Sequence, residues 1–237
     1  MRIENFGLPG SGKTTLSARC RKQLASLGHV STDSSALAKI DAANAPSDAR
    51  LWQHSRWRQN YHLARFSSEH PNLQVLFSEL YGANFRNLSL TLDVGADLSR
   101  YQMQSDHLHS FWVDEGFFHL GCHALLEASE WDFPACLMHL DRFMKTVPLP
   151  DAILHTHASV ETATTGIFAR LGGKSEDVAD RRFNKAFGGL KGMDARARLI
   201  DAVIERLEAA GARIITVKAH SDLDALCDRV LAELGIS

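Results

Sequence analysis

Two periodicities alternate along the chain. "RIENF" (2–6) reads as a strand, and Leu16, Cys20, Leu24 and Leu27 then recur at helical spacing, with Gly28 as a stop. "HVSTD" (29–33) fits a short second strand. "SFWVDEG" (110–116) and "PDAILHTH" (150–157) are short apolar runs of the kind that form buried strands, the first with its acids at the C-terminal tip. Further on, Leu199, Ile200, Val203, Ile204 and Leu207 mark a helix that Asp194 is placed to cap and Gly211 to end. "ARIITVKA" (212–219) is a strand, and "SDLDALCDRVLAEL" (221–234) a closing helix with Ser221 as its cap. Strands alternating with helices predict a parallel sheet covered on both faces. Glu4 and Asn5 are unexpected in a strand buried on both sides.

The middle of the chain is less regular. "DARLWQHSRWRQNYHLARF" (48–66) has a helical pattern whose face carries Arg50, Arg56, Arg58 and Arg65. Trp52, Trp57 and Tyr61 in it read as helix core and rim in preference to a base-stacking platform. "LSLTLDV" (88–94) places Leu88, Leu90, Leu92 and Val94 in the alternation of a strand.

The most informative stretch joins the first strand to the first helix. "GLPGSGKTT" (7–15) has glycines that let backbone N–H groups converge on one point, because no Cβ blocks the turn. The helix N-terminus adds about half a positive charge aimed there. Lys13 adds a full charge for β- and γ-phosphates, and Thr14 offers a hydroxyl to Mg²⁺. Gly7, Leu8, Pro9, Gly10, Ser11, Gly12, Lys13, Thr14 and Thr15 are therefore the expected nucleotide contacts. The Gly-x-x-x-x-Gly-Lys-Thr spacing arises by chance in a chain this long on the order of 1% of the time. Its place between strand and helix is the one its chemistry requires. Asp114, at the tip of the neighbouring strand, is the expected holder of the Mg²⁺ water shell, with Thr14 as a direct ligand.

Composition narrows the class. The 237 residues suit one domain with insertions, and the 26 basic against 28 acidic residues leave a net charge of −2, so no nucleic-acid partner is expected. Cys20, Cys122, Cys136 and Cys227 form no C-x-x-C pair and read as buried, reduced thiols. "MRIENFG" lacks the apolar core of a secretory signal, and no apolar run approaches the ~18 residues of a membrane span. A cytoplasmic protein without a membrane partner is expected; the oligomeric state, monomer or homodimer, is open.

With "GLPGSGKTT", "WVDEG", "PDAILHTHASVETA", "ARLGG" and the final strand and helix, the chain resembles the P-loop kinases of the nucleoside-monophosphate and thymidylate kinase-like group, including the kinase-like ATPases of bacteria. The resemblance spans nearly the whole length. It implies a three-layer α/β/α sandwich on a mostly parallel, five-stranded sheet, built as a single domain (1–237). It also implies a helical acceptor-binding insertion over 48–108, where helix replaces the strand suggested by alternation, and an arginine-bearing lid over 160–192. ATP and Mg²⁺ are the implied cofactors, and a small molecule the acceptor. Two departures stand out. Such kinases often carry two arginines four apart after the fourth strand; Arg170 fits the second, but Gly166 stands at the first. The Asp-Arg-Phe at Asp141 falls in a helical stretch, unlike the similar motif of thymidylate kinases, so thymidylate is not the expected acceptor.

In small-metabolite kinases of this layout an acid after the second strand accepts the acceptor's proton, which implies Asp33, with Glu115 as the competing base and a helix cap as the plainer role for Asp33. Arg170, Arg181 and Arg182 in the lid have the forked geometry suited to phosphoryl oxygens. His155 and His157, or Cys122, His123, Cys136 and His139, match no common structural metal site. The reading is an ATP-dependent phosphotransferase acting on a nucleoside, nucleotide or other hydroxyl metabolite. The rivals are a P-loop ATPase or switch module, and a nucleotide-binding subunit without turnover. A GTPase is disfavoured, because "NKAF" at Asn184 puts Phe187 where guanine recognition wants an aspartate.

Overall fold

A computed structural model describes residues 1–44, 54–82, 85–171, 176–218 and 222–236. Five strands form one parallel sheet in the order β2-β3-β1-β4-β5, with β1 at Arg2–Gly7, β2 at Ser31–Asp33, β3 at Ser110–Val113, β4 at Ala152–His157 and β5 at Ile214–Lys218. Helix α1 (Lys13–Ser26) and the closing helix α11 (Leu223–Glu233) cover one face. There Leu16, Cys20 and Leu24 meet Ile3, Trp112, Leu154, Val217 and Cys227. The other face lies against α6 (Phe117–Ala128) and α10 (Gly189–Ala209), with Phe6, Phe111, Val113 and Ile153 in that core. The three-layer expectation holds. All four cysteines are buried, free and helical.

Glu4 and Asn5 have assigned partners. Side chains alternate across a strand, so Glu4 shares a face with Phe6 and Asn5 with Ile3. Glu4 is buried under the start of α6, where it accepts from the Phe118 N–H at 2.6 Å. Burial raises its pKa to about 7, against the counter-pull of Arg2 and the backbone amides of that turn. A Cβ on Gly116 would lie 2.1 Å from the Glu4 carboxyl carbon, so the turn before α6 closes over the acid only because residue 116 has no side chain. Asn5 points to the α1 side and donates to Asp114 Oδ1 at 2.5 Å.

Between β2 and β3 the described residues form four α-helices and no strand: α2 (Ser34–Ala43), α3 (Ser55–Glu69), α4 (Pro71–Tyr81) and α5 (Phe85–Gln104). The alternating leucines of 88–94 lie on α5. Gly95 lets α5 approach Phe66 of α3, since a Cβ there would fall 2.3 Å from the ring. Buried Asp41 of α2 joins Arg58 at 3.3 Å and His62 at 3.2 Å, tying α2 to α3. Trp57 and Tyr61 are exposed, contrary to a core role; Arg50 and Trp52 lie outside the described residues.

The remaining helices are α7 (Phe133–Thr146), α8 (Val160–Leu171) and α9 (Glu176–Phe187). Two expected caps are corrected. Asp194 is inside α10, which begins earlier, after Gly188. Gly188 and Gly189 both have positive φ, and Trp131 fills the space where side chains at 188 and 192 would stand. Helix α11 is capped by Asp222, whose carboxylate accepts from the Asp224 and Ala225 N–H groups; Ser221 lies outside the described residues.

Candidate active site

The loop between β1 and α1 depends on glycine at two points in particular. Gly7 (φ 142°) and Gly10 (φ 87°) occupy the left-handed half of backbone space, and a Cβ on either would collide with a carbonyl: Thr156 O at 2.4 Å for Gly7, Ala163 O at 2.1 Å for Gly10. The contact with α8 is reciprocal, because a Cβ on Gly166 would stand 2.4 Å from Gly10 O. A side chain at position 166, an arginine included, would therefore be pressed against the loop backbone.

Lys13 Nζ donates to Gly7 O (3.0 Å) and Leu8 O (2.8 Å), and the residue is only 8% exposed. Burial, helped by the charge of Arg196, lowers its pKa to about 8. Thr14 and Thr15 are exposed at the start of α1. Ser11 is buried with its hydroxyl unpartnered. Asp114 is half-buried just past β3, and its Oδ1 accepts from both Asn5 Nδ2 and Ser17 Oγ (2.7 Å). Neither Asp114 nor Glu115 belongs to the strand, so strand alternation does not separate them; both line the same cleft.

That cleft has a volume of about 1160 Å³. Pro9, Gly10, Gly12, Lys13, Thr14 and Thr15 form one wall, and the turn after β3 with α5, α6, α8, α9 and α10 contributes the rest. Its charged lining is Lys13, Arg86, Arg170, Arg182, Lys185 and Arg196 against Asp114, Glu115 and Glu127, an excess of positive charge among the described residues. A second chamber of about 430 Å³ is bounded by Asp33, Ser34, Ser35 and α5, and shares Thr14, Asp114, Glu115, Leu90 and Leu120 with the first.

The expected site residues thus converge, with exceptions. Arg181 is exposed and is not among the residues lining either chamber. Asp33 borders the second chamber but is also the N-cap of α2: Oδ1 accepts from the Ala36 N–H at 2.9 Å, and Oδ2 pairs with Arg21. Partial burial alone would raise its pKa, but these two partners together lower it. Gly172 and Gly173 of the lid lie outside the described residues. His155, its pKa lowered to about 4 mainly by burial, and exposed His157 belong to no cluster of metal-binding groups among the described residues. Arg86, Lys185, His119 and Arg196 enter the cleft without sequence warning. Arg196 lay in plain view within "DARARLI", but nothing in helical periodicity separates it from its neighbours.

No family model matches the chain, and no curated protein matches it. Solved structures do. Deoxyadenosine kinase from M. mycoides with the products dCMP and a flexible dCDP aligns over 99% of both chains at TM-score 0.50 and 15% identity. The same enzyme with bound dATP aligns over 99% of this chain and 100% of its own at TM-score 0.50 and 14% identity. With bound dCTP it aligns over 99% of both at TM-score 0.51 and 13% identity. The fold is that of a P-loop kinase: a five-stranded parallel sheet with the phosphate loop after its first strand. Within that class, the solved structures similar to this chain include a nucleoside kinase.

Proposed function

We propose that this chain is an ATP-dependent phosphotransferase that moves the γ-phosphate to a small hydroxyl-bearing acceptor. One observation carries the reading: the glycine loop with Lys13 and the pair Thr14–Asp114 opens on two joined chambers, one lined by cations and one bounded by Asp33 and α5. A switch module needs no second chamber. A transferase needs one to hold an acceptor away from water.

In this reading the loop from Gly7 to Thr15 holds the triphosphate, and Lys13 leaves the carbonyls of Gly7 and Leu8 to meet it. The Thr14 hydroxyl and the Asp114 carboxylate form an oxygen-only donor pair, which suits a hard cation such as Mg²⁺ that keeps much of its water. The metal, when bound, neutralises charge on the phosphates. Asn5 and Ser17 fix the Asp114 carboxylate through Oδ1. Asp33 and Glu115 flank the second chamber and are the candidates to orient the acceptor hydroxyl; the lowered pKa of Asp33 makes it a hydrogen-bond acceptor more than a strong base, which is adequate for a loose transition state. Residues 48–108 form the acceptor-binding insertion and 160–192 the lid, from which Arg170 and Arg182 reach the phosphates. The dATP and dCMP of the similar solved structures make nucleosides and deoxynucleosides the first acceptors to offer.

The test is transfer of label from γ-labelled ATP to a panel of nucleosides, nucleotides, sugars and other hydroxyl metabolites. Phosphorylation of at least one acceptor is expected, together with its loss by 10³-fold or more in folded Lys13→Ala, on the order of what a key transition-state charge contributes. Hydrolysis of ATP without transfer to any acceptor, or full transfer by Lys13→Ala, would overturn the proposal.

A further inference from the structure

Arg196 is the most buried cation of the cleft lining, at 3% exposed. It stands in α10 and lines the same cleft as Arg182, Lys185 and Phe187 of α9. Nε and Nη2 are both buried without a hydrogen-bond partner, and no carboxylate forms an ion pair with it among the described residues. Glu127, in the same cleft, instead accepts from Asn87 Nδ2 at 2.9 Å and lies 3.6 Å from His123 Nε2. A guanidinium cannot shed its proton to escape burial. Buried charges in proteins are paired or bind ions, and among the described residues no carboxylate lies within ion-pair distance of this one.

Its surroundings hold it still. The Arg196 Cζ is 6.0 Å from the centre of the Trp131 ring. Trp131 and Glu130 both have positive φ (63° and 50°), a backbone state that residues other than glycine seldom adopt. Such outliers persist where surrounding structure enforces them and gather at ligand sites. Gly188 and Gly192 make room for the same ring, and a Cβ on Gly192 would also fall 2.0 Å from Phe187 O. Arg170 and Arg182 are exposed, whereas Arg196 is fixed in advance.

We propose that Arg196 is the fixed oxyanion receptor of the cleft, donating from the guanidinium edge that lines it to the oxygens of a phosphate group on a bound substrate. Planar, two-pronged donation is what arginine offers phosphate and lysine does not. This rests on the phosphotransferase reading above. The phosphate has two sources, the terminal groups of the donor nucleotide or a phosphate already on the acceptor, and two probes separate them.

Calorimetric titration would use inorganic tripolyphosphate with Mg²⁺ on the free protein, and inorganic phosphate on protein saturated with ADP and Mg²⁺, for wild type, Arg196→Met and Arg196→Lys. Arg196→Met should weaken at least one of the two by tenfold or more, and Arg196→Lys, which keeps the charge and loses the fork, by an intermediate factor. Loss with tripolyphosphate assigns the donor; loss confined to phosphate on the ADP-filled protein assigns the acceptor. The melting temperature of Arg196→Met should hold or rise, since an unpaired buried cation has gone. A purely structural arginine would lower it and leave binding alone. Should the Met variant not fold, Arg196→Lys carries the comparison. Wild-type affinity of the folded variants for both probes overturns the inference. Failure of the wild type to bind either tripolyphosphate or ATP overturns the phosphotransferase reading and this inference with it.

Discussion

Lys13 holds its proton less firmly than an ordinary lysine, because burial and the charge of Arg196 bring its pKa from 10.5 to about 8. Two opposite pH dependences follow. Phosphate binding needs the ammonium, so ATP affinity should be level below about pH 8 and fall above it, by roughly tenfold per pH unit if one proton is required. Folding has the reverse sign: between about 8 and 10.5 the folded chain binds fewer protons at Lys13 than the unfolded chain, so the lysine's contribution to stability rises with pH across that window. Lys13→Met should remove both slopes. Calorimetric ATP titrations and thermal melts from pH 7 to 10.5 check this, and parallel slopes in wild type and variant would refute it. That the loop, Lys13, Thr14 and Asp114 line one cleft could be anticipated from the sequence, the first three because backbone geometry fixes their spacing within a few residues and Asp114 because it follows the apolar run of a strand. The parts of Ser17, Asn5 and Arg196 could not. Ser17 and Arg196 are ordinary residues of their helices, and Asn5, though odd for a buried strand, acquires its meaning only when α1, β1 and α10 pack around the cleft.

At the scale of elements, the seat of the phosphate loop on α8 is the contact most exposed to mutation. Gly166→Ala would put a methyl 2.4 Å from Gly10 O, so either the loop or the helix must shift. The expected cost is on the order of 2 kcal/mol, as for overpacking elsewhere, with weaker ATP binding because the displaced group is part of the nucleotide cradle. Thr165→Ala, exposed one residue away, is the control. Denaturant melts and ATP titrations of the two variants make the comparison; equal behaviour would refute the assignment. The succession of the five strands and of α1, α3, α10 and α11 was readable from periodicity, but α5 was not. Its residues serve more than one neighbour: Gly95 meets α3, while Leu90 lines both chambers and is 41% exposed. Over 88–94 alone the apolar residues fall at every second position, and the helical period emerges only over the whole length of α5. The start of α10 was hidden similarly. Its signal lies in the ring of Trp131, far from it in sequence, against Gly188 and Gly192, whereas Asp194 has the local look of a cap.

For the whole molecule, the reading turns on closure. The lid region bears Arg170, Arg182 and Lys185 on exposed positions of α8 and α9, and phosphates in the cleft would attract all three. Amide hydrogen exchange across 176–189 should slow by tenfold or more when ATP, Mg²⁺ and an acceptor are all present, and less with ATP alone, as protection on closure implies. Equal exchange in all three conditions would argue against a lid. The five-stranded parallel sheet was foreseeable from the family resemblance, because the phosphate loop fixes where the chain starts its fold. The acceptor was not, since chamber shape depends on helices α2 to α6 together.

Where Gly10 meets Gly166, backbone rests on backbone with no compressible side chain between them. The phosphate loop and the helix leading into the lid region are therefore stiffly geared. On the kinase reading, a load placed on the loop by a triphosphate would pass into α8 through this contact, and Arg170 near the far end of that helix would move with it. Residues 160–192, if they act as a lid, would then sense the nucleotide by mechanical linkage as well as by charge.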